Sequence, residues 1–393
     1  MSSRRRFLTS AGAVGATALA GCLGLDSGGA PAGQQWSATL GEALDQHRVT
    51  ERGLFATVRE EDDTGEETHA LVRVDTETGT ERWRRPLETG SDALHVDDDG
   101  VYALLVFDDD PRTDAGGDGY TELLALDDAG EQRWRREVPL TSGPLVGDDG
   151  GLYLLATDEL VALDRDGETR WQIALDLQGH GMVARGGTVV VCGRVEEADD
   201  GSAVAVDAAT GEERWRRDDV YPSLRSWPTA PPVADDERVY AAGERYVVAL
   251  DRDSGDTAWE RFLGNEYVHA LGVDGETISV AASSENSGEE GGGRFGTVYG
   301  LGVETGYERS EYRFERPLLD ASFDGTAAAA LVTGGRVVVT EVGTAPVVAS
   351  HEVDLDWADD ADGSVDLLGD ALYVETPERT IRKLVPSTTT EAD

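Results

Sequence analysis

GGLYLLATDELVALDRDGETRWQIAL, residues 150–175, decides the fold. Residues 152–156 read as one short apolar strand, 157–159 as a turn, 160–164 as a second strand, and Arg165-Asp166-Gly167 as a tight turn before a third strand at 169–175. The apolar residues follow no 3.6 period, so the unit is an up-and-down meander and not a helical repeat. One preceding strand, supplied by 143–146 here and by 183–185 in the next unit, completes a four-stranded blade.

The turn and indole of this unit recur along the chain. VDTETGTERW (74–83), LDDAGEQRW (126–134), LDRDGETRW (163–171), VDAATGEERW (206–215) and LDRDSGDTAW (250–259) place tryptophans 51, 37, 44 and 44 positions apart. That period belongs to repeat architectures whose units bury a face only against their neighbours. Gly79, Gly130, Gly167, Gly211 and Gly255 sit where a short hairpin needs positive φ, which glycine adopts without strain. The aspartate opening each turn can cap backbone amides. Trp83, Trp134, Trp171, Trp215 and Trp259 each offer about 150–250 Å² for burial, worth up to about 4–6 kcal/mol, and are expected to wedge between blades.

The pattern A-x-D-x-x-T-G-x-x-x-W, matched best by VAVDAATGEERW and VALDRDSGDTAW, resembles the repeat of the PQQ-like (quinoprotein-type) β-propellers. The resemblance covers nearly all of the chain after residue 33. It implies an all-β propeller of seven or eight blades, in a superfamily that includes both pyrroloquinoline quinone dehydrogenases and non-catalytic BamB-type envelope lipoproteins. Counting adds degenerate units: 298–314 keeps Gly306 and has Tyr312 near the tryptophan position, while 336–353 keeps strands without the indole. The C-terminal segment 367–384 supplies two strands, and Gly33-Gln34-Gln35-Trp36 looks like the missing Gly-x-x-Trp strand. The two termini then share a closing blade, which removes exposed edges. The expected total is an eight-bladed β-propeller, with seven as the alternative if a degenerate unit forms no blade of its own.

Composition narrows the setting. The formal charge is −44, and the chain has a single lysine, Lys383, among its 34 basic residues. At molar salt the Debye length falls to about 3 Å, so such a surface stops repelling itself and serves as a hydrated shell. A halophilic, archaeal type of chain is the reading. Intrinsic disorder fails on the recurring apolar runs, and a nucleic-acid partner fails because phosphate affinity needs a basic surface.

Ser3-Arg4-Arg5-Arg6-Phe7-Leu8 resembles a twin-arginine export signal, followed by a mild uncharged run at 11–20 too short to span a bilayer. Leu19-Ala20-Gly21-Cys22 resembles a lipobox. The resemblance implies cleavage before Cys22, which becomes the lipidated N-terminus, because two acyl chains give stable anchoring. The organisation expected is a signal peptide over 1–22, a flexible Gly/Pro/Ser tether over 23–33, a propeller over 34–386 and a disordered tail over 387–393. With Cys22 lipidated, Cys192 has no disulfide partner and reads as a core residue.

Chemistry is sparse. The Arg-Trp-Arg-Arg clusters at 82–85, 133–136 and 214–217 read as guanidiniums paired with the abundant carboxylates. The acidic turns lack calcium-loop spacing, and the six histidines show no zinc-type pair. Hydrolase elbow and phosphate-loop motifs are absent from the sequence. Neither an adjacent cysteine pair nor C-x-x-C-H is present, which weighs against a quinoprotein enzyme. No catalytic residue, metal ligand or cofactor is therefore expected. Three inserted segments, 107–120, 220–232 and 283–294, are the places for specificity. The middle one carries Tyr221, Trp227 and four prolines and is the candidate contact surface, with a packed inter-blade connector as its alternative. The function expected is a monomeric, lipid-anchored, extracytoplasmic binding or assembly scaffold, held to the membrane through Cys22 and meeting another cell-surface protein or envelope component. A PQQ-dependent oxidoreductase with calcium is the alternative. The barrel-assembly role of BamB-type proteins is not carried over, because the composition suggests an organism with a single membrane.

Overall fold

The computed structural model describes residues 33–385, apart from 63, 109–118, 142, 157–158, 196–200, 222–229, 285–294, 343–348, 356 and 359–360. Its regular secondary structure is entirely strand, arranged as eight four-stranded antiparallel sheets. Blades 1 to 7 follow the chain at 43–87, 91–138, 145–174, 178–221, 230–262, 266–314 and 318–354. Blade 8 takes Ser364–Leu368, Ala371–Glu375 and Thr380–Leu384 from the C-terminal side and Gln34–Thr39 from the N-terminal side. The innermost strands of successive blades adjoin around the whole ring, and that of blade 8 meets that of blade 1. The fold is the expected eight-bladed β-propeller closed by both ends of the chain.

One count changes. The C-terminal segment supplies three strands where the sequence suggested two, because Ser364–Leu368 (SVDLL) is masked in sequence by the acidic run before it and by Asp366 within it. Its apolar residues Val365 and Leu367 are nonetheless buried in the cluster shared by blades 7 and 8. Second strands such as Gly151–Leu155 are buried throughout, since a mid-blade strand is covered by neighbours on both faces. Cys192 is fully buried on such a strand.

Each recurring tryptophan reaches forward onto the next blade. Trp36, Trp83, Trp134, Trp171, Trp215 and Trp259 lie over Gly79, Gly130, Gly167, Gly211, Gly255 and Gly306 in turn. A Cβ added to any of these glycines would stand within 2.5–2.8 Å of the indole. The glycines have φ between 65° and 80°. Two constraints therefore coincide, the positive φ of the turn and the room for an indole. Each indole Nε1–H also donates to a carbonyl of the next blade, from Trp36 to Thr76 O at 3.1 Å through to Trp259 to Val303 O at 2.8 Å. Such a bond contributes about 0.5–1.5 kcal/mol net.

A bulge fixes which residue does this. In blade 1 Arg73 pairs with Trp83 and Val74 with Glu81, so Arg82 is the extra residue. The same shift in blade 6 pairs Gly300 with Ser310 and Leu301 with Glu308. Ser310 therefore occupies the tryptophan position, and Tyr312 lies one alternation further along the strand. The bulged Arg82 pairs with Asp75 (Nε to Oδ2, 3.0 Å), and Arg84 with Glu60 and Glu81, as charge compensation requires. The Arg82 hydrogen bond, with that of Thr78, holds the Asp75 carboxyl well below the usual carboxylate range.

Candidate functional site

The meander sorts the connections onto two faces. Hairpins joining first to second and third to fourth strands are short, and the indole–glycine contacts lie on that side. Connections between second and third strands, and between one blade and the next, leave from the other side. The three inserted segments all belong to this second class, as do residues 62–66 and 195–200. The longest connections thus leave from one face, hereafter the loop face.

Irregularity on the innermost strands gathers at the same end. Six of the eight carry a register shift near their loop-face end, at Asp45, Asp92, His180, Pro231-Pro232, His269 and Leu319. A bulge turns a side chain out of strict alternation and commonly does so beside functional sites. The axial mouth therefore carries carboxylates on blades 1 and 2 and imidazoles on blades 4 and 6. Burial, together with the charges of Asp45 and Asp108, pushes the Asp92 carboxyl up, while burial lowers His180. Sequence reading passed over these residues because a bulge has no signature until the partner strand is known. The only available hint was that four of the six histidines fall just before apolar second strands.

Deeper in the ring, blade 8 is fastened on both sides. On blade 7, Asp320 Oδ2, Ser322 Oγ and Asp324 Oδ2 accept the backbone N–H groups of Val365, Leu367 and Gly369 at 2.9, 3.1 and 2.5 Å. On blade 1, His47 Nε2 lies 2.8 Å from Asp366 Oδ2 and its Nδ1 4.0 Å from Glu375 Oε2. Burial alone would lower the His47 pKa, but the Asp366 hydrogen bond and the charges of Asp366 and Glu375 raise it. Burial pushes the Asp320 carboxyl up.

The sequence-predicted site residues fare unevenly. The six tryptophans and five glycines come together as the inter-blade contacts. Tyr221 ends the strand Glu213–Tyr221, at the loop face, paired with Gly201. Trp227 and Cys22 lie outside the described residues.

The family model described as outer membrane protein assembly factor BamB matches residues 120–271 and, overlapping it, 199–312. Over these residues the chain is a BamB-like run of PQQ-type repeats. The BamB-like ring is similar to the crystal structure of BamB from Moraxella catarrhalis, at 18% identity over 89% of this chain and 98% of that one, with a TM-score of 0.62. It is also similar to a computationally designed protein, Ika8, at 13% identity over 88% and 96% with a TM-score of 0.63. Quinohemoprotein alcohol dehydrogenase from Comamonas testosteroni aligns at 12% identity over 92% and 77%, with a TM-score of 0.58. At these identities the likeness speaks to the fold. No curated protein sequence matches the chain.

The BamB-like propeller can be tested for the group its dehydrogenase neighbours' chemistry implies. Calcium takes six to eight oxygen donors. The axial mouth brings together Asp45 and Asp92, and among the described residues no group of three or more His, Cys, Asp or Glu is placed to hold a metal ion. No reaction step is derived through quinone or calcium.

Proposed function

We propose that this BamB-like propeller is a non-catalytic binding or assembly scaffold of the cell envelope. One observation carries the reading: the longest connections and the bulges of the innermost strands gather at the loop face of a ring whose other face is stiffened by indole–glycine contacts. A rigid platform that varies on one face only is built to present loops to a partner. The matched family's description, an outer membrane protein assembly factor, supports an envelope role of this kind. The finer reading keeps the chain extracytoplasmic after twin-arginine export, anchored through lipid on Cys22, with its contact surface around Tyr221 and Trp227.

Crosslinking at the cell surface, with exposed residues such as Glu88 and Asp92 at the loop-face edge replaced by photoreactive side chains, tests the scaffold. Capture of one envelope partner from loop-face positions, with none from positions such as Thr78 on the opposite face, is the expected result. Equal capture from both faces, or none, removes the reading. Stoichiometric quinone in protein purified at high salt would instead favour the oxidoreductase alternative.

A further inference from the structure

The junction between blades 6 and 7 lacks the indole–glycine contact made at six of the other junctions. In blades 2, 3 and 5 the residues in register with the indole include a tyrosine on the second strand, in Tyr102-Ala125-Trp134, Tyr153-Ala162-Trp171 and Tyr240-Ala249-Trp259. In blade 6 the row is Ser279-Gly300-Ser310, with both serines buried. The pairing of a large ring on one blade with a glycine on the next is missing there. On the loop-face side of the same junction lies a cleft of 540 Å³, lined by Tyr312, Arg313, Arg316, Arg336, Asp354 and Trp357 among others.

The polar groups of the cleft are held in place. Arg313 pairs with Glu311 at 3.3 Å and approaches Glu266 at 3.7 Å, and its guanidinium lies 4.2 Å from the centre of the Phe295 ring. Arg336 pairs with Glu352, and Arg316 donates to Thr333 O at 3.1 Å. Trp357 rests against Gly335 and Gly363, where an added Cβ would come within 2.5 Å of its ring. Its Nε1–H is buried without an acceptor among the described residues.

Three properties select the class of ligand. Arg313 and Arg336 are matched by carboxylates, and Glu315 and Asp354 also line the cleft, so little surplus positive charge is offered to an anion. Fixed guanidiniums donate and fixed carboxylates accept, which is the combination that hydroxyl groups use, since each hydroxyl does both. Tyr312 and Trp357 add aromatic surface with a polar edge. A sugar ring carries hydroxyls at its rim and an apolar C–H face, and the volume falls in the usual range for small-ligand sites, about 300–1,000 Å³.

We infer that the cleft between blades 6 and 7 binds a short neutral oligosaccharide, stacked on Tyr312 and Trp357 and hydrogen-bonded by Arg316, Arg336 and Asp354. The inference rests on the binding-scaffold reading and names its ligand. The full chain is applied at high salt to an array of neutral and acidic oligosaccharides, and calorimetry follows with the retained neutral trisaccharide. Binding to a neutral glycan at one site per chain is expected, weakened about tenfold or more by Arg336→Ala and by Tyr312→Ala. Trp357→Phe, which keeps an aromatic ring and removes the N–H, weakens it less, and thermal melts check that each variant stays folded. Retention of acidic glycans alone, of peptides in place of glycans, of nothing, or of a neutral glycan equally in Arg336→Ala and Tyr312→Ala overturns the proposal. Loop-face crosslinking separates the two claims: a partner captured equally by wild type and Arg336→Ala, with no glycan bound, leaves the scaffold standing and removes the cleft alone.

Discussion

His47, on the innermost strand of the first blade, lies 2.8 Å from Asp366, on the innermost strand of the last. They are 319 positions apart in sequence, and their meeting is one of the contacts that close the ring. The raised His47 pKa reflects Asp366 and Glu375 overcoming burial, so protonated His47 favours the closed state. The folded value lies above the unfolded one of about 6.5. The stabilisation is therefore fully present below about pH 6.5 and is lost as pH rises through the folded value. Melting temperatures of wild type and His47→Gln across the range should differ most on the acid side and converge on the alkaline side. A gap that widens with pH would contradict the assignment.

Gly255 and Gly275 separate the two demands made on turn glycines. Both have positive φ, 75° and 54°, but an added Cβ at Gly255 would stand 2.6 Å from Trp215, whereas at Gly275 nothing lies within 4 Å. Gly275→Ala should cost roughly 1 kcal/mol, from backbone strain alone. Gly255→Ala should cost roughly 2–4 kcal/mol, because overpacking adds about 1–3 kcal/mol. Denaturant unfolding measures both. Equal losses would mean that the indole yields and does not constrain the turn.

Trp36 is 4% exposed, packs on Tyr373 with ring centres 6.0 Å apart, and covers Gly79. Trp36→Ala should destabilise the protein by about 3–5 kcal/mol, the range for a buried large-to-small change. Removing the chain through Thr39 should do more, leaving Thr380–Leu384 as a bare edge that recruits other chains. Light scattering after size exclusion should show oligomers for this truncation and not for removal of residues 1–32.

Cys22→Ala checks the anchor proposed from sequence. Fractionation should move the protein from membrane to soluble extracytoplasmic material; a variant that stays wholly membrane-bound would rule out lipid on Cys22.

The parts of the fold legible in the sequence are those that repeat. Gly211 and Trp215 announce themselves because the same spacing recurs, and Gly33 to Trp36 reads as a detached strand for the same reason. What stayed hidden depends on register or distance. Tyr312 stands near the expected indole position in sequence, but the bulge beside Glu308 assigns that position to Ser310. Ser364–Leu368 escaped notice because an acidic run precedes it and Asp366 interrupts it. Asp45, Asp92 and His269 acquire meaning only when bulges gather them at one mouth, and His47 finds Asp366 only when the chain ends meet. Trp357 follows no repeat spacing, so it gave no signal until Gly335 and Gly363 were seen beneath it. Tyr221 could be placed at the loop face by its strand, and Trp227 could not.

The forward reach of the six repeat indoles gives the ring a sense of rotation that matters during synthesis. Trp36 leaves the ribosome first and finds its cover, Gly79, within the next blade to emerge, and each later tryptophan through Trp259 is buried by the unit made just after it. The growing chain can thus shield its stickiest side chains one unit behind the exit. When Thr380–Leu384 finally appears, Gln34–Thr39 is already docked on the first blade, a ready-made seat for the last strand to be delivered.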